Sequence, residues 1–326
     1  METFPSSPPA VVRHDLAALR ASLDLAGIPP KSLDRNVLVA TWNIRGFGKV
    51  LDKWASAEGD SPRRNLGDVL CLAAIISRFD VVALQEVKRD LGGLRRLMQA
   101  LGPNWAWILT DITRGPAGNQ ERMAFVFDLR RVQPSGLAAE LVVPIVAETS
   151  LTEVTMEKQF ARTPYAVSFE SQGTTFTLVT LHVLWGDSAG HRVPEIREIA
   201  RWLRNWADGG DEFGENLMAL GDFNIDRLND PLYQEFVATG LRPPKELESL
   251  PRTIFQDPDE GHFYDQIAWF VDATGKSALT EPLRYEGIGG NFDFRPALQG
   301  MLSTVALSWR ISDHYPLWAS FSVRPA

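Results

Sequence analysis

The hydrophobic positions of the chain form short apolar runs and a few stretches of helical spacing. The apolar runs predict buried strands at residues 37–42, 81–84, 106–110, 124–127, 141–143, 166–169, 175–181, 217–220, 267–270 and 318–323. Apolar residues at every third or fourth position predict helices at residues 64–78, 91–101, 194–207 and 231–238. Strands mixed with a few helices predict an α/β (α+β) fold in which two packed mixed β-sheets are flanked by helices, a four-layer sandwich.

The first 36 residues differ from the rest of the chain. They begin with a proline-rich segment, and leucines from Leu16 to Leu25 then follow at partly helical spacing. This pattern predicts a flexible N-terminal tail with one short helix that ends before Pro29-Pro30, because proline does not fit a helix interior. No linker rich in Gly, Ser or Pro divides residues 37–326, so we expect a single domain there, although length alone favours about two.

Composition and charge narrow the class of protein. The chain has 326 residues, 44% of them hydrophobic and 23% charged, which is ordinary for a globular protein. A formal net charge of −8 does not favour tight phosphate-driven binding of nucleic acid, but it allows a nuclease whose carboxylates surround a metal ion. The N-terminus does not have the pattern of a secretory signal, and no apolar run reaches the roughly 20 residues of a membrane span, so we expect a soluble cytoplasmic protein. The single cysteine, Cys71, lies in an apolar helical stretch and is expected to be buried.

Polar residues with catalytic or metal-binding chemistry recur where the apolar strands end. They are Asn43, Glu86, His182, Asp222, Asn224, Asp265, Asp313 and His314. Because the ends of neighbouring strands meet at one edge of a sheet, we expect these side chains to converge. Carboxylate and amide oxygens suit Mg²⁺, Mn²⁺ or Ca²⁺, whereas a single cysteine does not suit a closed zinc site. Histidines beside acids can transfer protons near neutral pH, so the set predicts metal-assisted hydrolysis of a phosphate ester.

Each of these residues also has a structural interpretation, which is the favoured one when the residue is taken singly. The alternatives are a turn cap for Asn43, an Asx-turn for Asp222 and Asn224, a surface ion pair of Glu86 with Lys88 or Arg89, a core hydrogen bond for His182, a surface acid at Asp313 and a loop cation at Arg162. The functional hypothesis depends on the recurrence of such residues at strand ends.

Short motifs follow one another in a recognisable order. They are Trp42-Asn43, Gln85-Glu86-Val87, Thr180-Leu181-His182, Gly221-Asp222-Phe223-Asn224, Tyr264-Asp265-Gln266-Ile267 and Ser312-Asp313-His314. This order resembles the endonuclease/exonuclease/phosphatase family over about residues 37–323. Arg162-Thr163-Pro164-Tyr165 resembles the Arg-x-Pro strand start of the family. Within the family the chain is most similar to deoxyribonuclease I, which it resembles at residues 80–88, 121–127, 264–267 and 311–316. The resemblance implies a deoxyribonuclease I-like fold and divalent-metal-dependent hydrolysis of phosphodiester bonds.

The resemblance also implies a role for each residue around the metal and the phosphate. Glu86 would bind the metal ion, with Asn43 and Asp313 beside it on the same ion or on a second one. The implied ion is Mg²⁺, with Mn²⁺ or Ca²⁺ as alternatives. Asp222 and Asn224 would hold the attacking water and the phosphate oxygens.

Two histidine–carboxylate pairs are implied in the same way. His182 would transfer a proton and would be oriented by Glu121, while His314 would do the same on the opposite side and would be oriented by Asp265. In such pairs the acid fixes the tautomer of the histidine and favours its imidazolium form. Arg162 would contact the substrate phosphate, as would the two asparagines of the site, and would stabilise charge in the transition state.

The substrate is less well defined by the sequence. The motifs, together with Lys88 and the cations of residues 45–64 and 114–122, favour a DNA endonuclease. However, Asn119 stands where deoxyribonuclease I has an aromatic residue that touches DNA, and residues 45–64, 186–194 and 283–299 could reshape substrate choice near the site. The alternative is a phosphatase or phosphodiesterase of a small phosphoester, such as a nucleotide, a sugar phosphate or a lipid headgroup. A third hypothesis is a non-catalytic relative that binds nucleic acid or a protein. We expect the protein to be a monomer.

Overall fold

Two six-stranded mixed β-sheets pack face to face, and helices cover their outer faces. The computed structural model of the chain describes residues 4–113, 118–141, 160, 162–186, 188–255, 262–298, 300 and 302–324. The predicted two-sheet sandwich is therefore confirmed.

The first sheet contains the N-terminal strand and the C-terminal strand side by side. Its strands are β1 (Asn36–Phe47), β2 (Val81–Lys88), β3 (Trp105–Leu109), β4 (Glu121–Asp128), β11 (Arg284–Asn291) and β12 (Leu317–Ser322), in the spatial order β11-β12-β1-β2-β4-β3. β1 and β2 run parallel, and the other neighbours run antiparallel.

The second sheet is built the same way around one parallel pair. Its strands are β5 (Gln133–Glu140), β6 (Tyr165–Ser171), β7 (Thr174–His182), β8 (Leu217–Asp222), β9 (Leu241–Arg242) and β10 (Asp265–Phe270), in the spatial order β5-β6-β7-β8-β10-β9. Here β7 and β8 are the parallel strands. In both sheets the parallel pair is central, so the carboxyl ends of these four strands meet at one end of the sandwich.

Helices complete the two outer layers. They are α1 (Ala10–Leu25), α2 (Leu66–Ile76) and α3 (Gly92–Leu101) on the first sheet, α4 (Ala189–Asp208) and α5 (Pro231–Val237) on the second, and the short α6 (Arg295–Leu298), α7 (Thr304–Arg310) and the 3₁₀ helix Lys245–Leu247. Among the described residues, no helix has the length and apolar character that a membrane span requires. Cys71 of α2 is buried, as expected.

The central strands are apolar on both faces because each face is covered. Successive side chains of a strand point to opposite faces. Val37 and Val39 of β1 therefore pack between the two sheets, while Leu38 and Ala40 pack against the helices. Such burial on both sides explains why the sequence shows continuous apolar runs instead of alternation.

Two strands extend further along the chain than the sequence predicted. β1 continues to Phe47 and β2 to Lys88, so Asn43 and Glu86 lie within strands and not after them. The pairing of β1 with β2 shifts register between Asn43 and Phe47, and that of β2 with β4 shifts between Leu84 and Val87. These irregularities let polar residues sit inside strands, which an apolar pattern does not reveal.

Other elements were missed for lack of an apolar signal. β5 and β11 are edge strands with several exposed positions, and both contain glycine. The predicted strand at 141–143 is wrong at Leu141, which follows β5 outside any strand, and residues 142–143 lie outside the described part of the chain.

The N-terminal helix is longer and better packed than predicted. α1 has 16 residues, and its stripe of Leu16, Leu19 and Leu23 is buried in the core between the helices and the first sheet. Leu25, the last leucine of the segment, is 88% exposed. The segment from Ala10 to Leu25 is therefore part of the packed structure and not of a tail.

Candidate active site

The predicted polar residues converge on one cavity. A cavity of about 400 Å³ opens at the end of the sandwich where the central parallel strands finish. Its lining includes the predicted residues Asn43, Glu86, Glu121, Arg162, His182, Asp222, Asn224, Asp313 and His314. Asp265 lies beneath this lining and is fully buried. The lining also includes residues that the sequence did not single out, namely Leu184, Trp185, Thr253, Phe255, His262 and Tyr264.

Glu86 is held in place by a backbone distortion of β2. Its φ of 60° lies in the left-handed region, which is unusual for a residue other than glycine and stores strain. The backbone N–H of Gly46 donates to Glu86 Oε2 at 2.8 Å, and Asn43 Nδ2 donates to Glu86 Oε1 at 3.1 Å. Asn43 Nδ2 also donates to Asp222 Oδ2 at 3.0 Å, and Asn43 Oδ1 accepts from the Arg45 N–H at 3.1 Å. The turn-capping role of Asn43 is thus present together with contacts to both acids.

Asp313 brings a second carboxylate to the Glu86 side of the cavity. Its Oδ2 lies 3.0 Å from Arg45 Nη1, and its side chain is 24% exposed, so it is not a simple surface acid. Burial raises the pKa of Asp313, and the Glu86 carboxylate raises it further, although His314 and Arg45 oppose both effects. Two carboxylates, Glu86 and Asp313, thus lie on the same side of the cavity. The side chains of Glu86, Asp313 and Asn43 carry carboxylate and amide oxygens, so their chemistry fits a hard divalent cation.

The first histidine–carboxylate pair lies on the opposite side of the cavity. His182 Nδ1 is 3.3 Å from Glu121 Oε2. Glu121 Oε1 accepts from Lys88 Nζ at 2.8 Å and from Asn119 Nδ2 at 2.6 Å. Burial opposes ionisation of Glu121, but the contacts with His182, Arg162 and Lys88 outweigh it and lower the pKa of Glu121 to about 2. Lys88 therefore neutralises Glu121 and not Glu86, contrary to the surface-pair alternative.

Arg162 presents unused hydrogen-bond donors at the cavity. It is 9% exposed, and its Nε lies 2.8 Å from Glu121 Oε2 as an ion pair. The Nη1 group of Arg162 has no hydrogen-bond partner among the described residues, whereas Nε is occupied by the ion pair with Glu121. Buried donors without partners are costly in free energy, and an anion in the cavity would satisfy them. Arg162 is thus a loop cation, as the alternative had it, but its side chain is buried at the site.

Asp222 occupies the centre of the cavity. It follows Gly221, whose φ is 143° and where a Cβ would lie 2.1 Å from the carbonyl oxygen of Leu181, so only glycine fits. Asp222 Oδ1 accepts from the N–H of Asn224 at 3.0 Å, which is the Asx-turn the sequence offered as an alternative. Asn224 Nδ2 donates to the carbonyl of Val183 at 2.6 Å, which ties this turn to the end of β7.

Both histidines face Asp222 with their outer nitrogens. Asp222 Oδ2 lies 3.7 Å from His182 Nε2 and 3.9 Å from His314 Nε2. Burial opposes ionisation of Asp222, but His314 and His182 outweigh it and lower the pKa of Asp222. The carboxylate is therefore charged between two possible proton carriers.

The second histidine–carboxylate pair is the better aligned one. His314 Nδ1 lies 2.7 Å from Asp265 Oδ2, within hydrogen-bond distance. Burial opposes protonation of His314, but Asp265, Asp222 and Asp313 outweigh it and raise its pKa well above 6.5. Arg252, which is fully buried, donates through Nε to the backbone oxygen of Asp265 at 2.8 Å and so fixes the start of β10. Ligand atoms of Asp222, Asp265 and His314 lie within 4.8 Å of one another, so this group is a second place that could hold a metal ion.

The two pairs and a buried glutamine connect the sheets to each other. Glu121 belongs to the first sheet and His182 to the second, while Asp265 belongs to the second and His314 precedes β12 of the first. Beneath the cavity, Gln85 of β2 donates through Nε2 to Thr180 Oγ1 of β7 at 2.9 Å. The site is therefore assembled from both sheets.

None of the described residues in the three segments expected to reshape substrate choice, 45–64, 186–194 and 283–299, lines the cavity. Arg64 is buried and donates to the backbone oxygens of Ile44 and Ile311, and burial lowers its pKa to about 10, so it is a structural residue. The segment 283–299, expected near the site, forms β11 and α6, and none of its described residues lines the cavity. Residues 114–117, which include part of the predicted cation loop, lie outside the described residues.

Comparison with known proteins defines the class. The model of the endonuclease/exonuclease/phosphatase family matches residues 40–314, and the chain belongs to this family. The family hydrolyses phosphoester bonds and depends on divalent metal ions. A protein of Thioalkalivibrio sp. (strain K90mix) named deoxyribonuclease is 29% identical over 207 residues, which are 62% of this chain and 50% of that protein. The chain thus spans about half the length of this curated relative.

Solved structures share the fold at low sequence identity. The human Nocturnin catalytic domain has a TM-score of 0.54 at 17% identity, with 90% of this chain and 99% of that chain covered. D. rerio TDP2 complexed with single-strand DNA product has a TM-score of 0.54 at 14% identity, with coverage of 88% and 98%. A mannosyl-6-phosphatase of Bacteroides thetaiotaomicron has a TM-score of 0.53 at 16% identity, with coverage of 87% and 99%. At these identities the similarity concerns the fold alone.

Proposed function

We propose that the protein is a divalent-metal-dependent phosphodiesterase that acts as a DNA endonuclease. The observation that carries the proposal is the pair of histidines facing Asp222, with Nε2 to Oδ2 distances of 3.7 and 3.9 Å, each backed by its own carboxylate. The relative named deoxyribonuclease supports DNA as the substrate.

The metal ion would be held by Glu86, with Asn43 and Asp313 beside it. When bound, such an ion polarises a phosphoryl oxygen and neutralises charge that develops on the phosphate. The Asn43 amide connects Glu86 to Asp222, so that it couples the metal-binding side to the central carboxylate.

The protein's own residues would move protons and hold the phosphate. His314, kept protonated by Asp265, can donate a proton from Nε2, while His182 can accept one on the other side of Asp222. Asp222 and Asn224 would orient the attacking water and the phosphate oxygens. Arg162 would use its unpartnered donors to stabilise charge on the phosphate in the transition state.

The proposal is tested by nicking of supercoiled plasmid with Mg²⁺ and increasing salt. We expect salt-sensitive nicking that His182→Ala lowers by about 10²- to 10⁴-fold, the usual contribution of general acid–base catalysis. His14→Ala, in the exposed part of α1, is the matched control and is expected to retain full activity. A purified wild-type protein that leaves both plasmid and single-stranded DNA intact with Mg²⁺, Mn²⁺ and Ca²⁺ would contradict DNA as the substrate.

A small phosphoester is the second candidate. Asn119, at the position of the DNA-contacting aromatic residue, is engaged by Glu121 at 2.6 Å, and the net charge of the chain is −8. A panel of nucleotides, sugar phosphates and lipid headgroup esters distinguishes the two candidates, because activity confined to polynucleotides would exclude this one. Turnover that is lost in Glu86→Ala would reject the hypothesis of a non-catalytic relative.

A further inference from the structure

An exposed tryptophan stands at the edge of the cavity. Trp185 follows His182 by three residues and lines the cavity, yet it is 52% exposed. An exposed indole leaves a large apolar face in water, which is unfavourable in free energy. A ligand that packs on this face would remove it from water. The rest of the cavity lining is mostly polar.

Arg192 of α4 packs against one face of this tryptophan. The Arg192 guanidinium lies over the Trp185 ring at 4.6 Å, and the arginine is only 3% exposed. Its Nη2 pairs with Asp226 Oδ2 at 2.5 Å, while its Nε and Nη1 have no hydrogen-bond partner among the described residues. The ion pair with Asp226 and the contact with Trp185 together hold the guanidinium against one face of the indole.

Aromatic rings continue from Trp185 to the proposed reaction centre. The Tyr264 ring meets Trp185 edge to face at 5.4 Å and 80°, and His262 stacks on Tyr264 at 4.7 Å. Tyr264 in turn lies 6.0 Å from the His314 ring. A single ring, that of Tyr264, therefore separates the indole from His314, one of the two histidines that face Asp222.

We propose that Trp185 is a stacking platform for an unpaired nucleobase next to the scissile phosphate. Arg192 covers one face of the indole, and the exposed remainder offers a flat apolar surface to a base. Bases within a duplex are already stacked, so the platform favours a single-stranded or frayed substrate over an intact duplex. This inference rests on the proposed phosphodiesterase function and narrows it to substrates that carry a base.

The test uses oligonucleotides with one cleavable phosphodiester, in which the neighbouring nucleotide is either intact or abasic. For the wild type we expect the abasic substrate to raise KM by about 5- to 150-fold, as for the loss of one stacked base, with kcat little changed. Trp185→Ala should raise KM for the intact substrate by a similar factor and should show no further loss on the abasic one. Trp185→Phe should restore part of the affinity, because it retains a smaller aromatic face.

The matched control is Trp107→Ala, which removes a 36% exposed tryptophan of the edge strand β3 away from the cavity. It should leave both KM values unchanged. If the wild type and Trp185→Ala discriminate equally between intact and abasic substrates, Trp185 is not the platform.

A binding readout keeps this test separate from the proposed function. The full chain labelled with 5-fluorotryptophan is titrated with a dithymidine phosphorothioate and with its abasic analogue, and Trp185→Phe assigns the Trp185 resonance. We expect a shift of that resonance with dithymidine only. No shift overturns the platform whether or not the protein cleaves DNA, whereas a shift without cleavage of any polynucleotide overturns the proposed reaction alone.

Discussion

Replacement of Asp265 by asparagine removes one charge from the better aligned histidine–carboxylate pair. Asp265 is fully buried, and its Oδ2 lies 2.7 Å from His314 Nδ1. The asparagine side chain has nearly the same shape, and Arg252 would still donate to the backbone oxygen of residue 265. The change therefore acts mainly on the charge and tautomer of His314.

Both orientations of the new amide are unfavourable. If its oxygen faces His314 Nδ1, its NH₂ group takes the place of Asp265 Oδ1, which has no hydrogen-bond partner among the described residues. A buried donor without a partner costs about 1–3 kcal/mol of folding free energy. If the NH₂ group faces Nδ1 instead, it stabilises the neutral imidazole with its proton on Nε2, which is a far weaker acid than the imidazolium that donates a proton there. In either orientation the imidazolium loses its buried counter-charge.

We expect Asp265→Asn to lower kcat by about 10²- to 10⁴-fold. The limb of the pH–rate profile that belongs to His314 should also move to lower pH, because Asp265 is the strongest influence that raises the pKa of that histidine against burial. The assay is steady-state cleavage of an oligonucleotide from pH 5 to 9 at saturating Mg²⁺.

Asp272→Asn, in the exposed turn after β10, is the matched control and should change neither kcat nor the profile. An Asp265→Asn protein that is folded, keeps kcat within threefold and shows an unmoved profile would refute the role of this pair.

Three further predictions concern the metal, the charge state and the N-terminal helix. Glu86→Gln should raise the half-saturating Mg²⁺ concentration by about 10- to 100-fold, with activity partly restored at high Mg²⁺, and an unchanged titration would remove Glu86 from the metal site. Burial lowers the pKa of His314, but Asp265 and Asp222 outweigh it and raise the pKa above 6.5. The imidazolium of His314 therefore stabilises the metal-free fold fully below about pH 6.5, and this stabilisation is lost as the pH rises through the raised pKa. The advantage of the wild type over His314→Gln in urea unfolding with EDTA should therefore shrink from pH 6 to 9, and a constant or growing difference would contradict this. Leu19→Ala should cost about 2–5 kcal/mol of unfolding free energy with kcat unchanged, because Leu19 is fully buried but remote from the cavity, and a loss near zero would show that α1 does not stabilise the core.

The sequence predicted the central strands well because burial on both faces leaves a continuous apolar signal. Strands such as β7 and β8 are of this kind, and their bounds differ from the prediction by only a few residues. Edge strands such as β5 have no such signal, since exposed positions accept polar residues and glycine. The left-handed conformation at Glu86 depends on contacts made across the sheet, so it could not be predicted from local preference.

The candidate site was predicted as a list of residues but not as a geometry. Their convergence followed from strand ends and motif order, yet the partner of Lys88 is Glu121, far along the chain, and only folding brings the two together. The sequence did not predict the cluster of aromatic rings formed by Trp185, Tyr264 and His262 at the cavity, because an isolated tryptophan in a sequence more often indicates core packing. A tryptophan three residues after a predicted catalytic histidine, in a segment without apolar periodicity, was the available signal.

Both histidine–carboxylate pairs join residues from opposite halves of the sandwich. The catalytic rate should therefore depend strongly on how the two sheets are aligned. Neither sheet carries a complete pair, so half of the sandwich in isolation would retain no proton-transfer unit. A slide of one sheet over the other by about an ångström would misalign both pairs together, and changes of that size lower rates by about 100-fold. Substitutions in the apolar layer between the sheets, far from any substrate, should therefore lower kcat strongly even when the protein remains folded. The hydrogen bond from Gln85 to Thr180, which joins the two sheets, opposes such a displacement.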